Sequence, residues 1–185
     1  MTIYGAKEAA AAFRTVRGNT IKVVEELPEE QFDFVAAPGM RPLRTLIAHI
    51  AFAPTLYVEM HKLLRVTTLQ GFDFGAYIAR GQAFEAQART KAELVAQLKA
   101  DGEAIASWME TLDDAFLGQT FTDPMGQHPK TRLESLMSIK EHEMHHRAQL
   151  MLIQRMLGGT PFMTRDRQAR VAARAAAAAA AAAKA

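Results

Sequence analysis

The 185-residue chain contains no cysteine. That excludes disulfides, thiolate-bound zinc, iron–sulfur clusters and a cysteine nucleophile, and it carries no information on redox compartment. Long apolar runs are also missing. No stretch is long enough to cross a bilayer, so no membrane partner is expected. The first residues lack the charged-then-apolar form of a signal peptide, and the expected location is the cytoplasm. A surplus of one charge is absent from most of the chain. The formal net charge is +2, but Arg165, Arg167, Arg170, Arg174 and Lys184 lie near the end with only Asp166 among them. The remainder holds 17 basic and 19 acidic residues. It has no basic excess to meet a phosphate backbone, which argues against nucleic-acid binding.

Apolar residues make up 49% of the chain, enough for one domain with a real core. From Ala6 to Leu27, the seam Ala9, Phe13, Val16, Thr20, Val23 and Leu27 recurs at alternating spacings of four and three, those of a bundle helix, and Pro28 stops it. Pro42 opens a second helix running to Arg65, with a seam at Leu46, His49, Ala53, Leu56, Met60 and Leu63. Pro54 should kink it. Residues 66–89, with Phe72, Phe74, Tyr77 and Phe84 among glycines, read as a long loop or short helix with aromatic anchors. Thr90 with Glu93 forms a capping box for a third helix reaching Leu112, with a seam at Leu94, Leu98, Asp101, Ile105, Trp108 and Leu112. Thr131 with Glu134 starts a fourth, which ends at Leu157 before Gly158 and Gly159. The expected fold is therefore all-α, a single-domain four-helix bundle over residues 1–163. Residues 164–185 form an Arg/Ala-rich low-complexity tail, helical or disordered, with nine consecutive alanines at 175–183.

The fourth helix has the seam Leu136, Ile139, Glu143, His146, Leu150, Ile153 and Leu157, apolar at both ends and polar in the middle. His142 and His146 lie four residues apart, about 40° around a helix and about 6 Å along it, where they can share a metal ion. His49 interrupts the second seam in the same way. Buried polar groups cost roughly 1–3 kcal/mol each when unpaired, so these interruptions should satisfy one another, a metal or a substrate. Three imidazoles leave at least one coordination position for water or substrate, the catalytic rather than the structural pattern. Asp101 and Glu143 are each a possible fourth ligand, general base or acceptor for an imidazole N–H; a salt-bridged acid at the seam's edge is the preferred reading of both. Arg147 is placed at the site's margin, facing an anionic substrate or pairing with Glu143. His145 reads as a rim residue, His61 as facing elsewhere, and His128 as a solvated loop residue.

Three stretches carry a family resemblance: Leu43-Arg-Thr-Leu-Ile-Ala-His49-Ile, Glu141-His142-Glu-Met-His145-His146-Arg147-Ala148-Gln149-Leu150, and Arg155-Met-Leu-Gly-Gly-Thr-Pro161. Together they resemble the DinB/YfiT-like family of metal-dependent four-helix-bundle proteins, over residues 5–163. The resemblance implies a divalent metal on His49, His142 and His146, with zinc or nickel favoured over iron or manganese, and His145 as an extra histidine outside the ligand set. Ala148 stands where the family commonly has glycine. The resemblance further implies a small-molecule substrate, a homodimer, and thiol S-transfer using a low-molecular-weight thiol such as bacillithiol or mycothiol. The alternatives are a metal-dependent hydrolase and a non-catalytic bundle that the metal holds together around a small ligand or partner.

Overall fold

The computed structural model describes residues 4–182. Four long helices form the bundle: α1 (Ala6–Glu26), α2 (Leu43–Phe52) with its continuation, α5 (Lys91–Glu110) and α7 (Arg132–Met156). The continuation of α2 is a short α3 (Thr55–Tyr57) followed by a π-helical turn, Val58–Leu63. α1 packs against α5 and α7, and α2 packs against α5 and α7. α4 (Phe74–Glu85) lies outside the four and packs on α2. At one end, α6 (Asp114–Gly118) and a hairpin of β1 (Thr120–Phe121) and β2 (Lys130–Thr131) connect α5 to α7.

Local chemistry accounts for the helix boundaries. Thr90 and Glu93 bond reciprocally at the start of α5. Thr131 Oγ1 accepts from Glu134 N–H at the start of α7, and Gly158 at φ +84° ends that helix. The helix breaks at Pro54 as its missing N–H requires. The π-turn that follows shifts the register by one residue, so Leu63 is 69% exposed while His61 is fully buried. The expected seam placed Leu63 inside because it assumed a continuous α-helix.

Residues 66–89 hold more order than a loop, since α4 spans twelve of them. The buried line of α5 runs through Leu94, Leu98, Gly102, Ile105, Ala106 and Met109. Asp101 stands half-buried at the edge of the core, where the preferred reading placed it, and accepts from Gln97 Nε2. After Pro161 the chain forms α8 (Phe162–Ala182), which buries no residue. Among the described residues no helix is long and apolar enough to cross a membrane.

The core has two apolar clusters. One gathers Val24, Leu27, Phe32, Ile47, Leu98 and Leu150, and the other Ala10, Phe13, Ala106, Met109, Leu136 and Ile139. The buried polar residues Arg17, Thr20, Glu143, His146 and Arg147 fall between these stretches of α1 and α7. The polar interruption of the α7 seam is therefore a layer of the bundle, and the candidate site lies on one side of it.

Candidate metal centre

His49 comes from the last turn of α2, and His142 and His146 from the middle of α7. Their Nε2 atoms converge. His142 Nε2 lies 3.3 Å from His49 Nε2 and 3.1 Å from His146 Nε2, and the three ligand atoms all fall within 4.8 Å of one another. Zinc–nitrogen bonds of 2.0–2.1 Å in a tetrahedron require nitrogen–nitrogen edges of about 3.3–3.4 Å, close to the two short separations.

The outer nitrogens define the tautomers. His49 Nδ1 lies 2.7 Å from Glu85 Oε1, and His146 Nδ1 lies 2.8 Å from Gln149 Oε1. A carboxylate and an amide oxygen are acceptors, so both Nδ1 atoms carry the proton and both Nε2 atoms present lone pairs inward. One proton on His142 Nε2 could serve only one of them well. A divalent ion would use all three lone pairs, so the donor set fits a metal.

Burial holds all three imidazoles below the usual histidine range, His142 down to about 4, with neighbouring cationic groups including Arg41 adding to the effect. Neutral imidazole is the metal-binding form. For His49 and His146 the bonds to Glu85 and Gln149 oppose the shift. His49 and His142 are half-buried and His146 is buried, which leaves the cluster approachable from outside.

The acid beside the cluster is Glu85, at the end of α4, and it was not anticipated from sequence. Its Oε1 accepts from His49, and its Oε2 accepts from Arg41 Nε at 3.0 Å. Histidines that ligate metals commonly donate their second N–H to such a carboxylate. No spacing signal marked Glu85, because α4 packs outside the bundle. Gln149 was more visible, three residues beyond His146 in the quoted α7 stretch.

The two acids considered earlier act elsewhere. Glu143 points toward α1, where Arg17 Nε donates to its Oε2 at 2.9 Å, and both side chains are buried. Arg147 is buried as well, and its Nη1 donates to the Val16 carbonyl, so it offers no face to an anionic substrate. His145 is exposed beside His146, as expected of a rim residue. Trp108 and Asp101 line a groove of about 420 Å³ between α2 and α5, and Phe74 lines a cavity beside Ser135; none of the three histidines lines either one.

Among solved structures, YfiT from Bacillus subtilis, described as a probable metal-dependent hydrolase with an unusual four-helix bundle topology, matches with a TM-score of 0.68 at 18% sequence identity. The match covers 86% of this chain and 91% of that one, and at this identity it establishes the fold. No curated protein matches the chain significantly. The sequence model of the DinB superfamily matches residues 12–150, well over half the chain, and the chain belongs to that superfamily.

Proposed function

We propose that the protein is a divalent-metal-dependent enzyme acting on a small molecule, with His49, His142 and His146 as ligands. The observation that carries this reading is the convergence of three Nε2 atoms, two of them fixed as lone-pair donors by Glu85 and Gln149. A purely structural site would be closed by four protein ligands. Among the described residues, the cluster that could hold a metal has three.

A divalent ion in this position supplies Lewis acidity, which lowers the pKa of a bound water or thiol. The chain's own residues would do the rest. Glu85 and Gln149 keep the proton on the outer nitrogen of His49 and His146 and so fix both ring orientations. Arg41 holds Glu85 in place. Glu85 is engaged by His49 and Arg41, and the two acids weighed as general bases bond elsewhere, Glu143 to Arg17 and Asp101 to Gln97. This favours thiol S-transfer to an electrophile, since a coordinated thiol would be deprotonated outright, whereas bound water would be brought only to a pKa of about 7. Hydrolysis is the second reading, supported by the description of YfiT.

The test loads the metal-stripped protein with zinc, nickel, iron(II) or manganese. It then assays bacillithiol, mycothiol and glutathione with a generic electrophile, alongside a panel of esters and amides. Metal-dependent turnover with a thiol supports transfer, and turnover with esters or amides alone supports hydrolysis. Absence of turnover in every combination contradicts the enzymatic reading.

A further inference from the structure

A second cluster of polar groups lies farther along the α2–α7 interface. Ser135 precedes His142 by seven residues, about 10 Å along α7. His61, from the π-turn, is fully buried, and its Nε2 lies 2.8 Å from Ser135 Oγ. On the other side of the ring, Arg132 Nη1 lies 2.9 Å from His61 Nδ1. Arginine has no acceptor, so it donates to Nδ1 and the ring proton must sit on Nε2. His61 therefore donates to Ser135. It cannot take the serine proton, and the pair is not a nucleophile with its base.

The consequence for Ser135 is specific. Its oxygen accepts from His61, and its own proton has no acceptor among the described residues. Ser135 lines a cavity of about 290 Å³ under the β1–β2 hairpin, the size of a small ligand. Leu56, Met60, Leu69, Phe74 and Phe121 supply its apolar wall. Lys130 lines it too, and none of the salt bridges among the described residues involves it. Tyr57, Ser138, His128 and Asp123 complete the polar part, with Tyr57 and Ser138 bonded to each other and Asp123 Oδ1 already accepting from the N–H groups of Met125 and Gln127.

We propose that this cavity binds a small organic carboxylate, with the Ser135 hydroxyl and the Lys130 ammonium donating to its oxygens and the apolar wall receiving its hydrocarbon. Two donors of this kind at the edge of an apolar hollow suit an acceptor-only anion. An ammonium of the same skeleton would meet Lys130 with like charge, and the one carboxylate of the lining, Asp123, spends its Oδ1 on the N–H groups of Met125 and Gln127. The assignment does not depend on a metal at the histidine cluster.

The test is calorimetric titration of the full chain, treated with chelator, with 4-phenylbutyrate, 4-phenylbutylamine and 4-phenylbutanol. The expected order places the carboxylate at least about tenfold tighter than the amine, with the alcohol between them. Ser135→Ala and Lys130→Gln should each remove most of that preference. Lys130 is exposed, so its replacement keeps the test valid if the serine variant folds poorly. Equal binding of the three, no saturable binding by any of them, or a preference that survives Lys130→Gln would overturn the proposal. So would a preference that survives in a folded Ser135→Ala protein.

Discussion

His49 gives its Nδ1 proton to Glu85 across 2.7 Å, and Arg41 holds the other Glu85 oxygen at 3.0 Å. The contact joins α4, outside the bundle, to the histidine cluster at its seam. Glu85→Ala should weaken divalent-metal binding about 10–100-fold by freeing the tautomer and orientation of His49. Glu85→Gln, which keeps an acceptor oxygen, should lose less. Competition against a chromogenic chelator measures both, and unchanged affinity in the alanine variant would remove Glu85 from the site.

The Arg17–Glu143 pair occupies the opposite side of the same polar layer. Both Arg17 Nε and Nη2 lie 2.9 Å from Glu143 Oε2, and both residues are more than 95% buried. Glu143→Gln keeps the shape but leaves the Arg17 and Arg147 guanidiniums without their counter-charge. Loss of one partner of a buried pair costs about 3–5 kcal/mol, so the urea midpoint should fall sharply. A loss below about 1 kcal/mol, the range of exposed pairs, would contradict the account.

Gly102 is where α5 makes room for that arginine. A Cβ placed there would lie 2.7 Å from Arg17 Cγ. Arg17 is pinned by Glu143 and by its Nη1 bond to the Leu98 carbonyl, so it cannot simply swing aside. Gly102→Ala should destabilise by about 1–3 kcal/mol despite the better helix propensity of alanine. Thermal unfolding decides it, and a higher midpoint would contradict the packing described.

Stability should also depend on His61. Burial, with the Arg132 charge second, pushes its pKa down to about 4, against about 6.5 in an unfolded chain. Between those values the unfolded state holds a proton that the folded state refuses, so protonation favours unfolding. The contribution is full above about pH 6.5 and is lost as the pH falls toward 4. Denaturation across this window should show the slope, to which the lowered His49, His142 and His146 also contribute, and His61→Gln should reduce it. An identical slope in the variant would assign the effect to other groups.

The four bundle helices, the Pro54 break and the polar gap in α7 were legible because apolar periodicity and caps are local signals. Less legible was what each polar residue faces. Glu143 and His146 are neighbours in one seam, yet one turns to Arg17 and the other to His49 and His142. A 60° difference around a helix axis decides that, and it depends on where α1 and α2 pack. The π-turn hid His61 and Leu63 in a similar way, since no residue type marks a one-residue register shift. Glu85 was hidden for a different reason: α4 buries little of itself, so its periodicity is weak, while its last turn reaches the cluster.

The central claim is a single metal ion on three imidazoles. Cobalt(II) titration of the chelator-treated protein, followed by visible absorption, tests it most directly. The account predicts saturation at one equivalent per chain, a spectrum of four- or five-coordinate cobalt with nitrogen ligands, and loss of that spectrum in His49→Ala, His142→Ala and His146→Ala alike. Retention of the spectrum in a folded variant of any of the three, or no stoichiometric binding by the wild-type protein, would contradict it.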